Sequence, residues 1–203
     1  MDTARYFVAV LLVASMPPAI VWWYLVHPFV GFWRRMGARA ALSVVGALML
    51  AAAGALVWAR DALVGRDLGT SWPLTGLGVV LAVAAAALGL RRRRYLTTRI
   101  LSGIPELEGD GGNLLTQGPY AVIRHPRYVE VVAAVFAYAS FANYAGSWVV
   151  ALATLPALHG VVLLEERELA QRFGSAYDEY RRRVPRYVPG VTRSTSTMSQ
   201  SGR

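Results

Sequence analysis

The sequence predicts an all-α membrane protein with about five transmembrane helices, a C-terminal helical hairpin and an amphipathic tail helix. Of its 203 residues, 55% are hydrophobic and 16% are charged. The apolar residues stand in long uninterrupted runs, without the polar faces that a soluble helical protein places at helical spacing. A third observation is that the basic residues cluster between the runs. These features together indicate a polytopic membrane chain.

Five runs are long enough to cross a bilayer, because a transmembrane helix needs about 17 to 25 residues. We predict spans at residues 6–26, 40–58, 73–90, 129–145 and 147–164. A turn within 143–147 makes a hairpin of the last two runs, in which Glu130 is the only Asp, Glu, Lys or Arg. After this hairpin the helix is expected to continue to Arg172. Gly174 should end it, and Ser175 should cap the tail helix.

The basic residues predict the orientation of the chain. All 21 are arginines, and 18 lie in segments that share one side if the N-terminus is outside. The positive-inside rule then places the C-terminus in the cytoplasm, and a bacterial-type inner or plasma membrane is expected. The net charge of +9 suits contact with lipid head groups and does not indicate nucleic acid. The absence of cysteine and the wide spacing of three histidines predict no metal site.

A split motif surrounds the predicted hairpin. Its first half reads G-P-Y at 118–120 and R-H-P-R-Y at 124–128. Its second half reads E-E-R-E-L at 165–169, F-G at 173–174, tyrosines at 177 and 180, and V-P-R at 184–186. A hairpin returns the chain to the side it left, so both halves should meet at one membrane surface. Ionisable residues gathered at the end of an apolar bundle indicate a functional site.

This motif resembles the C-terminal signature of the integral-membrane methyltransferases that include isoprenylcysteine carboxyl methyltransferase and the phospholipid N-methyltransferases. The family reads roughly G-P-Y, R-H-P-x-Y-x-G, a hairpin, E-E-x-x-L, F-G, spaced tyrosines and V-P-R. The match covers about residues 115–189. The resemblance implies a methyltransferase that uses S-adenosyl-L-methionine (SAM). One departure is Glu130, which stands where the family usually has a glycine or another small residue.

The position of the site beside the bilayer, together with the resemblance, indicates an acceptor, and the apolar runs and composition divide the chain. The acceptor would be a lipid-like or prenylated molecule from the bilayer, with carboxyl O-methylation favoured slightly over N-methylation. Residues 1–90 would form a three-span scaffold, residues 91–189 would hold the connector, the hairpin and the SAM-binding catalytic region, and residues 190–203 would be a disordered tail. Ala47 and Ala51 lie four apart and allow close helix packing, which would also suit a homodimer.

The chemistry of SAM assigns roles to the motif residues. The glutamates suit its ammonium group, Arg124 and His125 suit its carboxylate, and the tyrosines offer ring faces and hydroxyls. Pro126 can occupy the first turn of a helix, whose N-terminus favours an anion. The predicted catalytic residues are Arg124, Glu165, Glu166 and Arg186. The predicted cofactor-binding residues are Tyr120, Arg124, His125, Pro126, Tyr128, Glu165, Glu166, Tyr177 and Tyr180.

Other interpretations remain open at this point. Arg186 and Arg183 can position an anionic acceptor, whereas an amine or hydroxyl acceptor would need a base such as Glu130. An NADPH-dependent membrane reductase of an enone or sterol-like lipid could use the arginines at 91–94 for a 2′-phosphate, although no Gly-rich dinucleotide loop is present. A non-catalytic membrane scaffold would use the same charges as solvated anchors. His159 is expected to be a hydrogen-bonded interior residue outside the site.

Overall fold

The computed structural model describes residues 2–26, 29–95 and 113–190. Within these ranges the fold is all-α, as predicted, and has the following helices: α1 Asp2–Val26, α2 Val30–Met36, α3 Ala38–Trp58, α4 Arg60–Val64, α5 Trp72–Arg93, a 3-10 helix Gly118–Ala121, α6 Pro126–Ala142, α7 Ala145–Phe173 and α8 Ser175–Arg183. The Gly-Asp-Gly-Gly-Asn stretch at 109–113, whose sequence predicts a turn or mobile loop, and the predicted tail at 190–203 fall almost wholly outside the described residues. The predicted domain boundary at residue 90 lies inside α5.

Four described helices, α1, α3, α5 and α7, are long and apolar enough to cross a membrane. The remaining predicted span forms α6, which has 17 residues and is about 25 Å long at 1.5 Å per residue. This length is slightly below the roughly 30 Å of a hydrocarbon core. A shorter α6 is compatible with a helix whose two ends carry polar groups that stay near the interfaces.

The hairpin turn between α6 and α7 is made by Asn143 and Tyr144, within the predicted range. Asn143 adopts a left-handed conformation with φ 52°, which asparagine tolerates better than most residues. Its side-chain amide donates to the carbonyl of Gly69 at 2.9 Å, and its amide oxygen accepts from Trp148 Nε1 at 3.0 Å. We call this side of the bundle the turn end.

The opposite side of the bundle carries the motif, and we call it the arginine-rich end, where Arg92, Arg124 and Glu166 lie. The central helix α6 packs against α1, α5 and α7. The contact with α5 is close because residue 78 is glycine, where a Cβ would come within 3.0 Å of the Ala137 carbonyl oxygen. Contacts with α1 and α5 therefore hold the hairpin in place independently of the residues of the motif.

The helix after the hairpin continues beyond the apolar run, as predicted, and ends at Phe173. Gly174, with φ 53°, then turns the chain into α8. The predicted cap by Ser175 is wrong. The N-cap residue is Gly174, which has no side chain to accept a hydrogen bond, and Ser175 is already helical. One face of α8 packs against the rest of the protein, as shown by Tyr177 and Tyr180, which are 1% and 4% exposed.

Candidate functional site

Backbone hydrogen bonds join the two halves of the motif at the arginine-rich end. The amide of Arg124 donates to the carbonyl of Pro185 at 2.8 Å, and the amide of His125 donates to the carbonyl of Arg186 at 3.2 Å. The hydroxyl of Tyr180 donates to the carbonyl of Tyr120 at 2.7 Å. The V-P-R segment therefore lies against the R-H-P segment, although about sixty residues separate them in the chain.

Glu166 is the charged centre of this junction. Its Oε1 is 2.9 Å from Arg124 Nη2, 3.0 Å from His125 Nε2 and 3.0 Å from Arg186 Nε. Its Oε2 is 2.5 Å from Arg186 Nη2. Arg124 and Arg186 therefore both contact one carboxylate, whose side chain is 13% exposed. Glu166 connects α7 to the start of α6 and to the segment after α8.

Two guanidinium groups, those of Arg124 and Arg186, face the Glu166 carboxylate. These three groups together carry about one positive charge, which the neighbouring Glu165 carboxylate balances. Arg124 Nη1 also donates to the carbonyl of Arg181 at 2.9 Å. The hydrogen bonds that Arg186 donates to the Glu166 carboxylate raise the pKa of Arg186. These arginines are therefore held in fixed positions, where their guanidinium groups can bind an anion.

Glu165 is the next residue of α7 and has a different environment. Its Oε2 is buried and accepts no hydrogen bond, and it lies 3.7 Å from His125 Nδ1. A buried carboxylate oxygen without a donor loses its hydration without replacement. The two neighbouring glutamates are therefore distinct: Glu166 is fully engaged, whereas Glu165 presents an unfilled acceptor.

The predicted tyrosines surround these charges. Tyr128 is 5% exposed and its ring centroid is 5.7 Å from that of His125. Tyr177 and Tyr180 have centroids 6.1 Å apart. Burial is the main cause that raises the pKa of Tyr177 and of Tyr120, and it raises that of Tyr180 to about 12. These hydroxyls are therefore neutral hydrogen-bonding groups at physiological pH.

The proline of the R-H-P segment has the predicted position, and the arginine that follows it contacts α1. Pro126 is the first residue of α6, with His125 as the N-cap residue. The guanidinium of Arg127 lies 4.1 Å above the ring of Trp23, which fits an anchoring contact with α1. The structure therefore brings every predicted site residue to one end of the bundle. Their roles toward a ligand stay predictions.

Sequence reasoning missed Tyr187 as a neighbour of the site. Its ring centroid is 6.2 Å from that of His125, and its hydroxyl is 2.8 Å from His159 Nδ1. His159 makes a hydrogen bond, as expected, but to Tyr187 in the segment after α8. The expectation that it is an interior residue is wrong, because it is exposed on α7. Only the path of the segment after α8 reveals this contact.

Sequence reasoning also missed the partner of Glu130. Arg92, in the last turn of α5, contacts Glu130 with both side chains largely buried. The signal was present, since a lone acidic residue in an apolar run requires a cation nearby. This pairing removes Arg92 from the set of arginines at 91–94 that a nucleotide phosphate would need.

Comparison with known proteins gives one partial similarity. Over 82 residues the chain is 37% identical to methanethiol S-methyltransferase 2 of Bradyrhizobium diazoefficiens. The aligned stretch is 40% of this chain and 31% of that protein, so it spans about a third of the relative's length. No family model matches the chain. No solved structure matches it either.

Proposed function

We propose that this protein is a SAM-dependent membrane methyltransferase whose active site is the arginine-rich end of the bundle. The observation that carries the proposal is the contrast between the engaged Glu166 and the unfilled Glu165 beside two arginines. A zwitterionic ligand needs an anion and a cation at separate positions in one site. The partial similarity to a methyltransferase supports the same reaction class.

The residues fit the polar groups of SAM. Three buried polar atoms near the junction lack partners: Arg124 Nε, Glu165 Oε2 and the hydroxyl of Tyr177. Glu165 Oε2 can accept from the ammonium group. Arg124 Nε suits the carboxylate. The Tyr177 hydroxyl remains for a ribose or adenine atom, and the ring of Tyr128 can pack against a flat or apolar part.

For two residues the proposed roles differ from those that the sequence predicted. Arg186 and Glu166 form a two-point contact with each other. Arg186 is therefore proposed to position Glu166 instead of holding the acceptor. Glu166 is proposed to hold the three segments of the site together, and Glu165 to bind the donor. This division gives the E-E pair two separate tasks.

SAM supplies a methyl group on a sulfonium centre, and its transfer is an in-line displacement. The protein contributes mainly by aligning the acceptor with this methyl group and by excluding water. The site lies at the end of apolar helices, so an acceptor can arrive laterally from the bilayer. We therefore propose a lipid-like or isoprenoid acceptor and a site on the cytoplasmic face. The relative's name specifies a thiol, methanethiol, so sulfur and oxygen acceptors both belong to the first screen.

The test is binding of S-adenosylhomocysteine and NADPH, measured side by side by calorimetry on detergent-purified protein. We expect micromolar binding of S-adenosylhomocysteine and none of NADPH. Glu165→Gln should weaken binding at least tenfold, because an ion pair to the ammonium is lost. Glu179→Gln is the matched control, since Glu179 lies on the exposed face of α8 and meets Arg183 at 3.6 Å.

The two ligands separate the candidate functions. Binding of NADPH instead would replace the methyltransferase by the reductase. Absence of both would favour a non-catalytic scaffold. Equal binding by wild type and Glu165→Gln would leave the reaction class standing but refute the assignment of Glu165 to the donor.

A further inference from the structure

A buried ion pair lies beside the proposed donor site, between α5 and α6. Arg92 Nε is 2.6 Å from Glu130 Oε2, and Arg92 Nη2 is 3.1 Å from Glu130 Oε1. Both contacts leave the same edge of the guanidinium, so the pairing is bidentate and fixes the plane of the group. Arg92 is 7% exposed. The free-energy cost of removing the Arg92 guanidinium from water is offset only in part by its single partner, Glu130.

The packing of α5 makes room for this pair. At residue 89, one turn before Arg92, a Cβ would lie 2.8 Å from Glu130 Oε1. Glycine at this position lets the carboxylate lie directly against the α5 backbone. The pair is therefore built into the helix interface, and the guanidinium has one orientation.

The third nitrogen of this guanidinium has no partner. Arg92 Nη1 is buried and makes no hydrogen bond. An unfilled charged donor in a buried position carries a penalty that a ligand atom can remove. Arginine has donors and no acceptor. An oxygen or sulfur atom with negative charge is the chemistry that fits this nitrogen.

The position of Arg92 relates it to the donor site. The 3-10 helix Gly118–Ala121 packs against α5. The pKa of Tyr120 is raised by burial and next by the Glu165 carboxylate, while the guanidinium groups of Arg92 and Arg127 act in the opposite direction. Tyr120 therefore lies near both the Glu165 carboxylate and the Arg92 guanidinium.

We propose that Arg92 Nη1 binds the head group of the methyl acceptor, and that this acceptor carries an anionic head on an apolar chain. This inference rests on the proposed function and specifies its substrate class. A carboxylate or thiolate fits, whereas an ammonium would be repelled. Glu130 serves as the positioning residue that orients Arg92, and its carboxylate is already engaged and does not act as a base.

The reaction balances with these groups alone. A lone pair of the carboxylate oxygen or thiolate sulfur forms the new bond to the methyl carbon. The bond between that carbon and the sulfonium sulfur breaks, and its electron pair stays on that sulfur. The products are a neutral methyl ester or thioether and S-adenosylhomocysteine. No proton moves in the transfer step itself: a carboxylate acceptor has none to lose, and a thiol acceptor enters the step as its thiolate, with the proton released to solvent.

The experiment compares acceptors with the same chain and different heads. Dodecanoate, dodecanethiol, dodecylamine and dodecanol are supplied in mixed micelles with methyl-labelled SAM, and label transfer is measured. We expect dodecanoate or dodecanethiol to have a kcat/KM at least tenfold above those of the amine and the alcohol. A preference for dodecylamine or dodecanol would overturn the proposal.

Variants separate recognition from packing. Arg92→Gln should raise KM for the anionic acceptor about 10- to 100-fold, since a charge-assisted hydrogen bond is lost. Its affinity for S-adenosylhomocysteine should stay within twofold of wild type. Arg91→Gln, at an exposed position of the same helix, is the matched control and should change neither value.

The double variant Arg92→Gln, Glu130→Gln replaces the ion pair by two amides that can bond each other. If Arg92 only holds α5 to α6, this pair should restore both thermal stability and KM. Recognition by Arg92 requires that stability recovers and KM stays raised, so a restored KM would overturn the proposal. Failure of wild type to bind S-adenosylhomocysteine is a separate result that removes the proposed function itself.

Discussion

Glu166→Gln is the substitution that best tests how the site is assembled. The side chain keeps its length and one acceptor oxygen but loses its charge. In the native site its carboxylate contacts Arg124, His125 and Arg186. Because Arg186 belongs to the segment after α8, the substitution should release that segment while the transmembrane helices remain packed.

The size of this effect follows from the contacts. A hydrogen bond to a charged group contributes about 1.5–3 kcal/mol, and breaking a buried pair costs about 3–5 kcal/mol. The lower of these two ranges applies, because Arg186 is 34% exposed and glutamine keeps one acceptor. We expect about 2–3 kcal/mol of lost docking free energy, which is roughly a 30- to 140-fold rise in the open population.

Limited trypsin digestion measures this opening. Cleavage after Arg186 requires its side chain to leave Glu166 and enter the protease. When opening is fast, the cleavage rate follows the open population. We expect cleavage after Arg186 to be about 30- to 140-fold faster in Glu166→Gln than in wild type, as followed by mass spectrometry of the released C-terminal peptide.

Glu179→Gln provides the control for this measurement. It is the same substitution on α8, at a surface pair that contributes at most a few tenths of a kcal/mol. Its cleavage rate should stay within about twofold of wild type. If Glu166→Gln is cleaved no faster than Glu179→Gln, Glu166 does not hold the segment after α8 in place, and the reasoning is refuted.

Two further predictions concern the turn end and a tyrosine. Arg5, 1% exposed, donates to the carbonyl of Ala142 at 3.0 Å and pairs with Asp67; Arg5→Met should cost about 2 kcal/mol or more in thermal unfolding, and a melting curve equal to wild type would contradict this. The pKa of Tyr180 is raised to about 12, so this group favours the folded state below pH 10, and its contribution is lost as pH rises from 10 toward 12. Ultraviolet titration of Tyr180→Phe should lack one tyrosine that ionises near 12, and an unchanged titration would refute the assignment.

The sequence predicted the membrane fold because the length of each hydrophobic run matches the number of helical residues that a bilayer requires. It also predicted the hairpin turn and the end of α7, since Asn143 and Gly174 occupy backbone conformations that few residues adopt. The meeting of the two motif halves follows from the hairpin topology alone. These features depend on local chemistry and chain length, which a single sequence contains.

Details of pairing required the tertiary structure. The sequence presents Glu165 and Glu166 as equivalent neighbours. The packing of α7 against α6 and the segment after α8 distinguishes them: Glu166 contacts two arginines and a histidine, whereas Glu165 keeps one buried oxygen without a hydrogen-bond donor. The sequence predicts Ser175 as a cap, but the turn at Gly174 places it inside the helix. Such outcomes depend on the direction of each side chain, which is set by neighbours far away in the chain.

Arg92 shows the division most clearly. The sequence alone determines that Glu130 is an isolated charge in an apolar run and that arginines end the preceding span. Only the tertiary structure decides that Arg92, among four consecutive arginines, turns inward to Glu130, because the packing of α5 on α6 brings this position and Gly89 to face the carboxylate. A charge pair buried between helices is a long-range contact, and helix packing selects its partners.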